Sequence, residues 1–170
     1  MSEKTESIDF TVKLTAEYWD KKPRYSIVVN DQVLVPESEF SQARGSEIEH
    51  EFSVDLPEGE ADHVIKVNFL NKEPTDTKKD QYEDPNNFKI VDDMLLIIRG
   101  IEIDGISLPV GQDYEFDSES VGYYVTDEPV TYKGVENTTK IPGCTNMGWN
   151  GSYCYDFKTP VYLWLLDQIS

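Results

Sequence analysis

Carboxylates are the most abundant side chains in this sequence that could do chemistry. The 170 residues carry 33 Asp and Glu against 15 Lys and Arg, a formal charge of −18. A long polar connection over 71–93 concentrates Asp76, Asp80, Glu83, Asp84, Asp92 and Asp93 among few apolar anchors. Oxygen-only clusters of this kind suit calcium, a hard cation that takes roughly six to eight oxygen ligands. Asn71, Asp76, Asp80, Asp92 and Asp93 are therefore the candidate metal ligands. Their spacing matches no EF-hand loop. The same acids would equally serve as a solvated loop that keeps the protein soluble and blocks edge-to-edge pairing of sheets.

A second candidate site is aromatic. Tyr18 and Trp19 end an alternating stretch and are followed by Asp20, Lys21 and Lys22. Indole and phenol faces beside acids and amides grip sugar rings, because C–H groups stack on the π face while hydroxyls need directional acceptors. Tyr18, Trp19 and Asp20 are thus the candidate ligand-binding set. The same residues would also suit a protein–protein hot spot, or simply the partly buried aromatics of a sandwich.

Catalysis finds little support. His50 and His63 fall mid-strand on the parity of core residues, whereas a proton-shuttling histidine belongs on a loop or strand end. Neither Cys144 nor Cys154 has a basic neighbour to activate it. GxSxG, phosphate-loop, GxGxxG and HExxH patterns are missing, and the cysteines and histidines do not have zinc spacing. Carboxylate pairs for glycoside hydrolysis are too easily drawn among 33 acids to single out any two. No catalytic residue is assigned, and the chain is expected not to be an enzyme. The two cysteines are expected to start as free thiols; later they either close a short loop or face opposite sides.

The charge also limits partners. An acidic surface cannot neutralise phosphates, which excludes sequence-independent nucleic-acid binding, and it disfavours anionic membranes. No apolar run approaches the roughly eighteen residues of a spanning helix. The polar first residues show no secretory h-region, so folding in a cytosol is expected unless a longer precursor was processed.

Elements that would position these residues are strands. Ile8, Phe10, Val12 and Leu14 alternate with polar residues, as do Ile48, His50, Phe52 and Val54, and His63, Ile65, Val67 and Phe69. Asn30-Asp31 and Asp104-Gly105 are hairpin dipeptides. The apolar run 94–98 predicts a strand buried on both faces or crossing a core. The segment 161–169, rich in β-branched and aromatic residues after Pro160, predicts a last strand. Short strands at intervals of about ten residues point to an all-β antiparallel sandwich or barrel. Three parts are expected: a sandwich over 1–108, an acidic Tyr-rich excursion over 109–140, and an aromatic, Gly-rich block of strands over 141–170 packing on or beside it.

Two stretches resemble known families. Ala16-Glu17-Tyr18-Trp19, then Tyr25-Ser26-Ile27-Val28-Val29-Asn30-Asp31-Gln32-Val33, His63-Val64-Ile65-Lys66-Val67-Asn68-Phe69-Leu70-Asn71 and Ile101-Glu102-Ile103-Asp104-Gly105-Ile106 together resemble the calcium-dependent xylan-binding carbohydrate modules. Those are jelly-roll sandwiches whose loops hold a calcium ion touching sugar hydroxyls. In that family the acid after Phe-Leu-Asn is a metal ligand; here the position is Lys72. The stretch 71–104, together with Met147-Gly148-Trp149-Asn150-Gly151-Ser152-Tyr153 and Phe157-Lys158-Thr159-Pro160-Val161-Tyr162-Leu163-Trp164-Leu165-Leu166-Asp167, is similar to small proteins of marine T4-like tailed bacteriophages. That second likeness implies a virion component: a non-enzymatic decoration of capsid, tail or fibre, partnered by other virion proteins or by itself as an oligomer. The first implies the alternative, a module that binds host or environmental polysaccharide with calcium as a bridge.

Overall fold

The computed structural model describes residues 4–79, 90–110 and 122–169. Alternation builds its first sheet. In β1 (Thr5–Glu17) every second residue from Ile8 to Ala16 is buried. β1 pairs antiparallel with β4 (Ile48–Pro57) on one side and β8 (Leu95–Ile103) on the other. β8 is joined by β12 (Asn146–Met147) and, through the Asp104–Gly105 turn, by β9 (Ile106–Ser107), completing a five-stranded sheet. The β1–β8 register shifts opposite Arg99. This bulge carries the buried face from Leu96 and Ile98 to Ile101 and Ile103.

The second sheet has six antiparallel strands in the order β11 (Val135–Pro142), β10 (Tyr123–Tyr132), β13 (Gly151–Thr159), β5 (Ala61–Phe69), β2 (Arg24–Val29), β3 (Gln32–Glu39). Its inner face presents Tyr25, Ile27, Val29, Ile65, Val67, Phe69, Tyr153, Tyr155 and Phe157 to the first sheet. One hydrophobic cluster unites the two; Phe10 of β1 meets Phe157 of β13 edge-on with ring centroids 5.5 Å apart. The protein is an antiparallel β-sandwich, one of the two architectures its alternation predicts.

Both predicted hairpin dipeptides form turns, with Asn30 at φ 52°, Asp104 at φ 49° and Gly105 at φ 80°. Gly151 is fixed by packing: a Cβ there would lie 2.1 Å from the Val125 carbonyl oxygen of the paired strand β10.

Two segments differ from the sequence expectation. In 94–98 only Met94, Leu96 and Ile98 are buried, while Leu95 and Ile97 stay half-buried on the outer face. Val161–Ile169 is a helix, α1, and not a strand. Its Val161 and Leu165, four residues apart, are buried; Trp164 packs edge-on against Tyr155 and Phe157; and the Val161 amide donates to Glu6 Oε1 at 3.0 Å. Those contacts outweigh the strand propensity of its residues. β13, from the aromatic C-terminal stretch, lies inside the six-stranded sheet between β10 and β5.

Cys144 packs against the core, whereas Cys154 alternates with the core residues Tyr153 and Tyr155 and so faces outward. Both thiols are free, Cys154 buried within β13 and Cys144 half-buried in the connection between β11 and β12.

Candidate functional site

Where β1 ends at Glu17, the chain turns through 18–23 and enters β2. Tyr18 leans on the core, and its hydroxyl donates to the Gln42 carbonyl at 2.9 Å. Trp19 projects further, 41% exposed, yet its Nε1 donates to the Asp76 carbonyl at 2.8 Å. The Lys78 ammonium stands 5.6 Å from the Trp19 ring centroid and that of Lys22 6.0 Å from the Tyr18 ring. Such cations mark electron-rich ring faces. Asp20 is exposed at the tip of the same turn.

The segment after β5 explains why Trp19 is held. Pro74–Asp76 forms one 3₁₀ turn, followed by a small ribbon of β6 (Lys78–Lys79) and β7 (Ile90–Asp92). Asp76, 8% exposed, accepts from the Glu73 amide at 2.8 Å and from Lys21 Nζ at 2.9 Å. Its carboxylate thus locks the turn whose carbonyl receives the indole, and its lysine partner comes from the Trp19 loop.

The remaining metal candidates have equally definite partners. Asn71 accepts from the Arg24 amide at 2.8 Å and donates to the Lys22 carbonyl at 3.0 Å, closing the base of the Trp19 loop. Asp92 pairs with Arg44 at 3.4 Å, and Arg44 also reaches Glu17 at 2.8 Å. Asp93 Oδ1 receives Lys72 Nζ at 2.5 Å, Thr77 Oγ1 at 2.8 Å and the Met94 amide at 2.9 Å. Asp80 lies outside the described residues. Two groups drawn separately from the sequence therefore meet: Trp19 is bonded to Asp76, whose carboxylate pairs with Lys21 of the Trp19 loop, and Asn71 closes the base of that loop.

The cations paired with these acids stand outside both candidate sets, although Lys72 occupies the position that the resemblance gives to a metal-ligating acid. Lys21, Arg44 and Lys72 each answer an acid, and nothing in their local sequence marks them as different from solvated lysines and arginines. Sequence reading left Asn150 without a role. Asn150 donates to the Lys72 carbonyl at 3.0 Å and accepts from the Lys72 amide at 2.6 Å, and thereby brings half-exposed Trp149 near Lys72.

Calcium, as implied by resemblance, would need several oxygens free to point at one centre. Asn71 spends both amide atoms on backbone, Asp76 caps a turn, and Asp76, Asp92 and Asp93 each face a lysine or arginine. Among the described residues no group of three or more His, Cys, Asp or Glu is placed to share an ion. The described donor set does not fit the group.

Both histidines are spent on structure. The Asn30 side-chain carbonyl accepts from the Val64 amide at 3.1 Å, so its Nδ2 donates to His63 Nδ1 at 3.0 Å. His63 Nε2–H then faces Thr159 Oγ1 at 3.1 Å, and the threonine hydroxyl donates to the Gly59 carbonyl at 2.7 Å. His50 Nε2 meets the Tyr25 hydroxyl at 2.6 Å. Burial lowers the pKa of both rings, raises that of Cys144, and pushes Cys154 up to about 11. These thiols are poor nucleophiles at neutral pH.

A cavity of about 580 Å³ opens at the far end of β5, lined among others by Asn30, Asp62, His63, Asp156, Lys158 and Trp164. Its aromatic wall, Trp164, is committed to packing on Tyr155 and Phe157. Among the described residues Trp19 stacks on no other ring, and its ring face meets only the Lys78 ammonium.

No protein-family model matches the chain, and no curated protein matches it. Among solved structures it is similar to vCBM60, from work on circular permutation linking two families of calcium-dependent carbohydrate-binding modules, at 12% identity over 87% of this chain and 89% of that one, with a TM-score of 0.46.

Proposed function

We propose that the protein is a non-enzymatic carbohydrate-binding module whose contact surface is the loop end around Trp19. The observation that carries this reading is the Trp19 indole, exposed on its ring yet tethered through Nε1 to the Asp76 carbonyl. An exposed aromatic that is already immobilised loses little rotamer freedom when a ligand stacks on it. Sugar C–H groups are polarised like the lysine ammoniums that already stand by these rings, and Asp20 supplies an exposed acceptor nearby for hydroxyls.

This reading takes precedence over the virion component drawn from 71–104, 147–153 and 157–167, because in the fold Asn150 serves to anchor Lys72 beside the same loop. A glycan array on the purified protein, read in calcium and again in EDTA, tests it. Retention of at least one glycan that is lost in Trp19→Ala and kept in Trp164→Ala is the expected result. Silence in both buffers, or loss with Trp164→Ala alone, would overturn the assignment.

A further inference from the structure

Lys72 is a buried cation at the centre of the acidic loop. Lysine is almost never buried unless paired, and here the side chain is only 7% exposed. Its Nζ donates to Asp93 Oδ1 at 2.5 Å and to the Met94 carbonyl at 2.7 Å, an all-oxygen environment. Its own backbone is fixed on both polar groups by Asn150. Lys72 is therefore held from the β12–β13 connection while it grips the start of β8.

From that ammonium the contacts run to Trp19. Asp93 accepts from Thr77 Oγ1; Thr77 follows Asp76; and the Asp76 carbonyl holds the indole. A divalent ion seated on Asp93 would share its carboxylate with an ammonium 2.5 Å from Oδ1, and two cations on one carboxylate repel. Asp76 and Asp92 likewise carry their own cations in Lys21 and Arg44.

We propose that the Lys72 ammonium is a built-in cation that ties Asp93 and the start of β8 to the Pro74–Asp76 turn as a bound metal ion would, and so positions Trp19 without one. The placing of Trp19 as a sugar platform rests on the function proposed above; the ammonium's part in ordering the loop does not.

The experiment uses the intact chain and no glycan. Thermal unfolding is followed in EDTA and in excess calcium chloride, for the native protein, Lys72→Met, Asp93→Asn and the double variant. The native midpoint is expected to be the same in both buffers, since a ligand shifts stability only if the folded state binds it. Each single variant should lose on the order of 5 °C or more, and the double variant little beyond either single, as expected when two groups act as one pair. In a Trp149→Phe, Trp164→Phe background Trp19 is the remaining indole of three. Lys72→Met should then raise iodide quenching of its fluorescence, while Lys13→Met, which removes pairs to Glu49 and Glu102 on the other sheet, leaves it unchanged. A native midpoint that falls in EDTA and recovers with calcium would overturn the proposal, whether or not the variants fold. So would additive losses in the double variant, or unchanged Trp19 quenching in Lys72→Met. A failed glycan array leaves these readouts intact, so the two ideas fail separately.

Discussion

Trp19 and Asp76 are separated by 57 positions in sequence and joined by a 2.8 Å hydrogen bond from indole Nε1 to a backbone carbonyl. Because the acceptor is main chain, the indole reports the position of the whole 3₁₀ turn and not of one side chain. The Asp76 carboxylate, held by Lys21 from the Trp19 loop, secures that turn in return. Each loop therefore fixes the other, and the result is a rigid aromatic surface at a place where loops usually move.

The first prediction concerns that surface. Trp19→Ala should weaken retention of the best array glycan by about 2 kcal/mol, or roughly 30-fold, the loss expected for an aromatic hot spot. Trp19→Phe should fall between, since it keeps a stacking face but loses the Nε1 donor. Both variants should melt near the native temperature because the ring is outside the buried core. Calorimetric titration with that glycan checks the order; equal affinity for all three proteins would remove Trp19 from the site.

Glycine 151 gives a prediction about packing. An added methyl would meet the Val125 carbonyl at 2.1 Å, and backbone on a paired strand cannot swing aside as a long side chain does. Gly151→Ala should cost about 3 kcal/mol, at the upper end of overpacking penalties. Gly59→Ala, where no atom lies within 4 Å of the added methyl, should be nearly neutral. Urea denaturation of the two variants measures the contrast, and similar midpoints would refute it.

Much of the fold was legible because burial imposes a period of two on β1, β4 and β5, and because Asn30 and the Asp104–Gly105 pair tolerate positive φ. The closing helix was not. In nine residues a helical stripe has room for little more than the Val161–Leu165 pair, and the neighbouring Tyr162, Leu163 and Leu166 are apolar but exposed. The site was legible in half. Trp19, Asn71, Asp76, Asp92 and Asp93 announce themselves by type, but the lysines and arginine that answer the acids become special only through long-range contacts. Lys72 meets Asp93 across 21 positions and Asn150 across 78; no local pattern carries that information.

The thiols supply a third test. With Cys144 against the core and Cys154 on the outer face, no disulfide joins them, and burial raises both pKa values, that of Cys154 to about 11. Native protein at pH 8 should react slowly with a thiol reagent, and the denatured protein should release two equivalents quickly, matching the two cysteines of the sequence. Air oxidation followed by reduction should leave the melting temperature unchanged. A midpoint that rises on oxidation would mean that the two sulfurs pair after all.

The histidines make stability depend on pH with a definite sign. Burial lowers the pKa of His50 and His63 below the ordinary value of 6.5, so in the folded state they stay neutral where the unfolded chain is already protonated. Above pH 6.5 neither state binds these protons and the stability is fully present. As the pH falls below 6.5, the unfolded chain takes up protons that the folded rings refuse, and stability is lost until the folded pKa is reached. The slope per ring cannot exceed about 1.4 kcal/mol per pH unit. For His63 the geometry gives the reason: Nδ1 accepts from Asn30, so a proton there would set donor against donor, while Asp62 and Glu6 only partly offset the cost of burying the charge. Urea unfolding at pH 7.5, 6.5 and 5.5 should show the decline. The variant His50→Gln, His63→Gln should flatten it, leaving whatever the carboxylates contribute at lower pH. A native protein whose stability rises from pH 6.5 to 5.5, or a double variant with an undiminished slope over that interval, would show that the rings are charged in the fold.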